Sequence, residues 1–339
     1  MTDHGVERDI TISGPVRHVP VLLAEVIEAL APKDGEVYID GTFGAGGYAR
    51  SILEAAQCRL IGVDRDPDAI AGAKPLLEEF PDRLKVIQGR FSQLDKVARS
   101  AGDELVDGVV LDLGVSSMQL DEGERGFSFM RDGPLDMRMG QDGETAAEIV
   151  GRLDEQELAD IFYRLGEERR SRAIARAIVA HRKNEEITRT SELANIVEGV
   201  LGRRPNDPKH PATRVFQALR LFINQELEEL VEALHSAEEI LKPGGRLVVV
   251  TFHSLEDRIA KRFFAQKCGR VSRPSRHLPG DNSQEEKPSF QFVNRKAVKP
   301  SDNEISDNPR ARSAQLRAAI RQDAPGGRLE PKILGLPQI

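Results

Sequence analysis

Val37-Tyr38-Ile39-Asp40-Gly41-Thr42-Phe43-Gly44-Ala45-Gly46-Gly47 decides how this chain is read. An apolar run ends in an acid, breaks into glycines and resumes as a helix-forming stretch from Tyr48 to Ala56. Strand, tight turn and helix follow in that order, with a turn backbone bare enough for a ligand to touch. A second apolar run, Leu60-Ile61-Gly62-Val63, ends in Asp64, 20 residues past Gly44. At that distance an adenosine ribose finds its hydroxyl acceptor. A nucleoside-bearing cofactor is therefore expected.

Gly44-x-Gly46-x-x-Ala49 also fits the dinucleotide fingerprint, so a nicotinamide-dependent oxidoreductase competes as a reading. Asp40 tilts the choice. A pyrophosphate docks on backbone amides at a helix N-terminus, and a carboxylate beside it repels it. S-adenosylmethionine brings an ammonium and a sulfonium to the same place, where an acid is welcome.

The chain has 339 residues, 39% hydrophobic and 30% charged, as an ordinary globular protein has. No apolar stretch approaches the ~18 residues that a membrane span takes, so no membrane partner is expected. Met1 to Pro15 lacks the basic and apolar regions of a signal peptide. Cys58 and Cys268 lie far apart, read as reduced thiols of a cytoplasmic protein, and offer no metal-ligand spacing. Net charge is −7, yet seven basic residues and no acid lie between Arg258 and Arg276, and seven basic against two acidic residues lie between Arg164 and Lys183. Arg310, Arg312, Arg317 and Arg321 form a third group. Local basic faces on an acidic body suit a particular RNA surface better than indiscriminate phosphate binding.

Strands are expected at Glu36–Asp40, Arg59–Asp64, Leu84–Gly89 and Val106–Asp112, after a lead-in helix from His18 to Leu30. Asp66-Pro67 and Ser92-x-x-Asp95 read as helix starts between them. This alternation predicts an α/β fold with a doubly wound, mostly parallel sheet and ligands at the strands' C-terminal ends. The next strong strand, Arg246 to Phe252, lies far beyond the roughly 30 residues of a βαβ unit. The stretch between is helical in pattern: Asp154-x-x-Glu157 opens one helix, Ser171 to His181 and Thr190 to Leu201 give two more, and Thr213 to Leu241 reads as one long return helix. An all-helical insertion over 121–213, mounted above the ligand edge, divides a catalytic domain of 18–120 and 214–321. Residues 1–17 and 322–339 are expected to be flexible, Gly269 to Ser289 a mobile loop, and Phe290–Lys296 with Ala314–Ile320 a closing hairpin.

Asp112-Leu113-Gly114-Val115-Ser116-Ser117 follows the fourth strand at the place where a methyl group would be delivered. An exocyclic base amine is a poor nucleophile because its lone pair is delocalised into the ring. A carboxylate accepting its hydrogen bond localises that pair and helps remove a proton. Asp112 is the candidate for this role or for positioning the donor. Phe127 and Phe129 are candidates for stacking a presented base. His253 at a strand tip and Arg258 in the basic run are candidates for touching substrate. Ser254 and Asp257 read as a capping box.

Beyond these readings, several stretches are distinctive together: His18-Val19-Pro20-Val21-Leu22-Leu23, Asp40-Gly41-Thr42-Phe43-Gly44, Leu111-Asp112-Leu113-Gly114-Val115-Ser116-Ser117, Arg125-Gly126-Phe127-Ser128-Phe129-Met130, Gly133-Pro134-Leu135-Asp136-Met137-Arg138, His210-Pro211-Ala212-Thr213-Arg214, Phe252-His253-Ser254-Leu255-Glu256-Asp257-Arg258 and Asn308-Pro309-Arg310-Ala311-Arg312-Ser313. In this order, from about His18 to Arg321, the chain closely resembles the RsmH (MraW) family of bacterial rRNA cytosine-N(4)-methyltransferases. The resemblance implies a Rossmann-like class I S-adenosylmethionine-dependent methyltransferase with a seven-stranded sheet. It implies methylation of the N(4) amine of one cytosine, position 1402 of 16S rRNA in the small ribosomal subunit, near the P site. It places cofactor contacts on Gly46, Gly47, Tyr48, Asp64, Phe91, Asp112 and Gln119, with Asp64 toward ribose and Phe91 toward adenine; Asp40 and Gly44 join them from the reading above. Tyr48 and Met118 depart from the family's usual histidine and proline. Methyltransferases of DNA cytosine or protein, and a non-catalytic RNA-binding assembly factor, are the remaining alternatives. No oligomeric state follows from the sequence.

Overall fold

Apolar runs become strands close to where the sequence places them: β1 Val37–Asp40, β2 Arg59–Asp64, β3 Leu84–Gln88 and β4 Val106–Asp112. The computed structural model describes residues 20–203, 210–270 and 287–339. β5 Leu241–Thr251, β6 Phe290–Phe292 and β7 Gln315–Arg321 complete a seven-stranded sheet of order β3-β2-β1-β4-β5-β7-β6. The first five strands are parallel, and β7 runs antiparallel to both β5 and β6. Fold class and closing hairpin are as expected. A parallel sheet is covered on both faces, which is why β1 is buried at every position.

On one face Tyr38, Val110 and Val248 pack with Val26 of the Leu23–Leu30 helix and Ile52 of the Gly47–Ala55 helix. On the other, Ile39, Val109 and Val249 pack with helices Leu94–Ala101, Glu226–Ile240 and Ser254–Lys267. That second core continues without a break into the helices between β4 and β5, through Ile149, Phe162, Ile174 and Leu193. The helices Ser171–His181 and Thr190–Leu201 have the predicted bounds, and Asp154 caps the Glu155–Arg164 helix in a reciprocal box with Glu157.

Four expectations need correction. The return helix is two helices, Thr213–Asn224 and Glu226–Ile240, broken at Gln225, whose φ of 53° is left-handed. Ser92 does not cap: Phe91–Gln93 is a 3-10 turn, and the helix begins at Leu94. The box after β5 is formed by His253 and Glu256, one residue earlier than Ser254 and Asp257. The tail after residue 321 is not loose. It carries a short helix, Pro331–Leu334, with Leu334 buried, the Leu329 amide donating to His235 Nε2 at 3.3 Å and the Lys267 ammonium donating to the Gly327 carbonyl. The lead-in helix begins at Leu23, and its predicted start at His18, the flexible residues 1–17, most of the 269–289 loop and most of the 205–211 break lie outside the described residues.

Candidate active site

The glycine turn after β1 is clamped between its neighbours. Gly41 N–H donates to the Val110 carbonyl at 3.0 Å, and Phe43 N–H donates to the Val63 carbonyl at 2.9 Å. Thr42 Oγ1 accepts the Asp112 amide at 2.7 Å. Gly44 and Gly46 hold φ of 52° and 76°, where a side chain is strained. A Cβ on Gly46 would stand 2.9 Å from the Phe43 ring, whereas one on Gly44 would meet nothing nearer than 3.9 Å. The turn thus presents bare backbone to a cavity of about 560 Å³ at the C-terminal ends of β1, β2, β4 and β5. That volume suits a nucleoside cofactor with part of its acceptor.

Asp64 does more than the sequence reading assigned. Its Oδ2 accepts the Gly44 amide at 2.7 Å and its Oδ1 the Asp66 amide at 2.8 Å, so it sets the turn as well as lining the cavity. Burial pushes its pKa up, against those hydrogen bonds. Asp40 lies fully buried beneath the floor and not in the cavity lining, contrary to expectation. It accepts the Thr42 amide at 3.2 Å, and its Oδ2 has no partner. Burial lifts Asp40 to about 7, with the charge of Asp64 adding to the rise. Asp112 lines the cavity half-buried, with Oδ1 unpartnered. Burial first, then Asp40 and Glu256, hold its carboxyl well above the usual range.

The rim is built by local capping and one buried ion-pair network. Ser116 caps the Ser117–Asp121 helix in a box with Gln119, whose Nε2 donates to Asp66 Oδ2 at 2.8 Å. Arg125 donates to Asp66 and Asp68, each at 2.9 Å, and to the Met139 carbonyl at 3.1 Å. This ties the segment after β4 to the tip of β2 and sets Phe127 and Phe129 in the cavity wall. Phe129 stands 4.6 Å from the His210 ring and meets Phe216 edge-on at 4.9 Å.

Of the sequence-predicted residues, Gly44, Gly47, Tyr48, Asp64, Phe91, Asp112, Gln119, Phe127, Phe129 and His253 line one cavity. Gly46 lies behind the turn, and Arg258 stands away from the cavity, paired with Glu167 at 2.9 Å. Tyr48 contributes its ring, because its hydroxyl donates to the Val21 carbonyl. His253 Nε2 lies 2.9 Å from Glu256 Oε1. Burial works to raise the Glu256 pKa, but His253 and Arg220 bring it below the usual value. Sequence reasoning missed Thr42, Ser116, Phe216, Gln217, Arg220 and Arg310, which also line the cavity. His210-Pro211-Ala212-Thr213-Arg214 and Asn308-Pro309-Arg310 were signals for two of these regions. Among the described residues no group of three or more His, Cys, Asp or Glu is placed to hold a metal ion.

The sequence pattern of the MraW methylase family matches residues 15–322. A relative from Azorhizobium caulinodans is 58% identical over 324 residues, 96% of this chain and 92% of that protein. Relatives from Xanthobacter autotrophicus, 56% identical over 96% of this chain and 93% of theirs, and Parvibaculum lavamentivorans, 54% over 94% and 93%, are similar. All three are named ribosomal RNA small subunit methyltransferase H.

Proposed function

This chain belongs to the MraW methylase family, as an S-adenosylmethionine-dependent methyltransferase of small-subunit ribosomal RNA, and on that premise we propose that its acceptor is the N(4) amine of one cytosine, position 1402 of 16S rRNA. The nicotinamide oxidoreductase and the non-catalytic assembly factor fall away with family membership.

The single observation that carries the acceptor assignment is Asp112: a half-buried carboxylate with a free oxygen, facing a cavity walled by Phe127, Phe129 and Phe216. When bound, S-adenosylmethionine supplies an electrophilic methyl group on a thioether leaving group. The residues present fit that group: bare backbone at Gly44 and Gly47, Asp64, Phe91 and Gln119 line the cavity, and Asp64 would hold the ribose, Phe91 would border the adenine and the buried acids would favour a positive centre. The chain's own task is alignment in a dry pocket, because in-line displacement gains most from fixed geometry. Asp112 accepts a hydrogen bond from the amine, concentrates its lone pair on nitrogen, and takes the proton that nitrogen loses once the N–C bond has formed. The aromatic wall holds the base flat, and the helices of 121–213 form the part that selects the RNA.

The test is methyl transfer from labelled S-adenosylmethionine to isolated small subunits and to naked 16S rRNA. Subunits carrying uridine at position 1402 should take up no label. Equal labelling of those subunits would overturn the acceptor assignment.

A further inference from the structure

Two carboxylates, Asp112 in the cavity wall and Asp40 beneath it, lie on neighbouring strands, and among the described residues neither is paired with a cation. β1 and β4 are parallel, with Asp40 opposite Val110. Side chains alternate along a strand, so Asp112, two residues beyond Val110, faces the same side of the sheet as Asp40. Each leaves one buried oxygen without a hydrogen-bond partner. Hydrogen bonds from the Thr42 amide and hydroxyl and from the Ala49 amide favour the charged form of Asp40, but they do not outweigh its burial, and among the described residues no cation joins them. Tyr48 of the Gly47–Ala55 helix donates its hydroxyl hydrogen bond to the Val21 carbonyl and so has none for either acid. Asp64 at the tip of β2 adds negative charge, as does Glu256 of the Ser254–Lys267 helix, which His253 and Arg220 hold ionised. Glu304, which accepts the Leu22 amide, adds negative charge near Tyr48. Arg220 is paired with Glu226 at 2.8 and 3.0 Å. Among the described residues neither Asp40 nor Asp112 makes an ion pair with any lysine or arginine. Two buried, unpaired charges of like sign are too costly to persist together.

We propose that Asp40 and Asp112 share a proton in the ligand-free protein and release it when a sulfonium donor binds, so that proton and donor compete for one buried negative charge. The step breaks one O–H bond and passes the proton to solvent; no bond of the donor changes. Burial raises both carboxyls, Asp40 to about 7, in agreement with this, and the shared proton belongs to the pair. The consequence is an order of events. Asp112 becomes a hydrogen-bond acceptor for the cytosine amine only after the methyl donor is in place. Asp40 is thereby a positioning residue that acts through Asp112.

This inference rests on the donor assigned above, and the experiment separates the two. Calorimetric titration of the full chain near pH 6.5, in buffers of different ionisation enthalpy, counts protons released per ligand. S-adenosylmethionine should release about one proton, and its affinity should rise by up to ~tenfold per pH unit between pH 5 and 7. S-adenosylhomocysteine, which lacks the sulfonium charge, should release close to none and bind with little pH dependence. Asp40→Asn should abolish most of the release while still unfolding cooperatively; if that variant does not fold, the two ligands on the wild-type chain decide alone. Binding of S-adenosylmethionine without proton release, equal release by the homocysteine analogue, or full release by Asp40→Asn overturns the inference and leaves the function standing. Binding of neither ligand overturns both.

Discussion

Asp112 and Asp64 are both acids at strand tips, but their surroundings give them different work. Asp112 has an oxygen to spare and faces the cavity. Replacing it by asparagine should lower the single-turnover methylation rate at saturating donor by about 10²–10⁴-fold; an unchanged rate would remove it from the chemistry. Each Asp64 oxygen already accepts one backbone amide and keeps a further lone pair toward the cavity. Asp64→Ala should weaken donor binding by at least ~tenfold in calorimetry, through loss of the turn's anchor and of the proposed ribose acceptor. Asp40 leaves a signature in stability. Its folded pKa, about 7, exceeds the unfolded value, so its contribution is full below about pH 4 and is lost as pH rises through 7. Relative to wild type, Asp40→Asn should therefore gain on the order of a few kcal/mol between pH 4 and 8 in denaturant titrations. A constant difference across that range would contradict the raised value. These acids were legible in the sequence because each ends an apolar run. That Asp40 sits under the floor and not in the wall was not legible, because sequence position fixes a strand's end but not how deep its last side chain lies.

At the scale of elements, the cavity is completed by pieces that local patterns describe poorly. The Thr213–Asn224 helix has a clear apolar periodicity, but only tertiary packing shows that Phe216, Gln217 and Arg220 line the cavity. The break after it depends on Gln225 in a left-handed conformation, which carries no glycine or proline to announce it. Helix starts were readable where the cap is local and reciprocal, as at Asp154 and Glu157. They were misread by a residue where His253 competed with Ser254. Arg125 joins two elements far apart in sequence, with its side chain 11% exposed and that of Asp66 3%. Arg125→Met leaves a buried carboxylate without its cation, so it should cost ~3–5 kcal/mol in chemical denaturation. It should also raise the KM for RNA more than that for the donor, because it releases the segment carrying Phe127 and Phe129. A loss below ~1 kcal/mol would show that the network is not holding this rim.

For the whole molecule, the strand order places five C-terminal strand ends on one edge and closes the sheet with the antiparallel strands β7 and β6 beyond β5. The helices between β4 and β5 share the apolar core of the sheet, so the part proposed to select RNA is braced by the catalytic scaffold. The C-terminal segment is braced too. Leu334 is buried against the Ser254–Lys267 helix, and Leu334→Ala should cost ~2–5 kcal/mol, read as a lowered unfolding midpoint; no change would mean that the tail is not docked in solution. Its composition, rich in glycine, proline and charge, gave no hint of docking, because a single apolar anchor has no period to detect. The central claim is that this scaffold transfers one methyl group to one cytosine amine. Mass mapping of 16S rRNA from cells with and without this protein tests it most directly: the account predicts loss of a single N(4)-methyl at position 1402, and an unaltered methylation pattern, or a loss at another nucleotide, would contradict it.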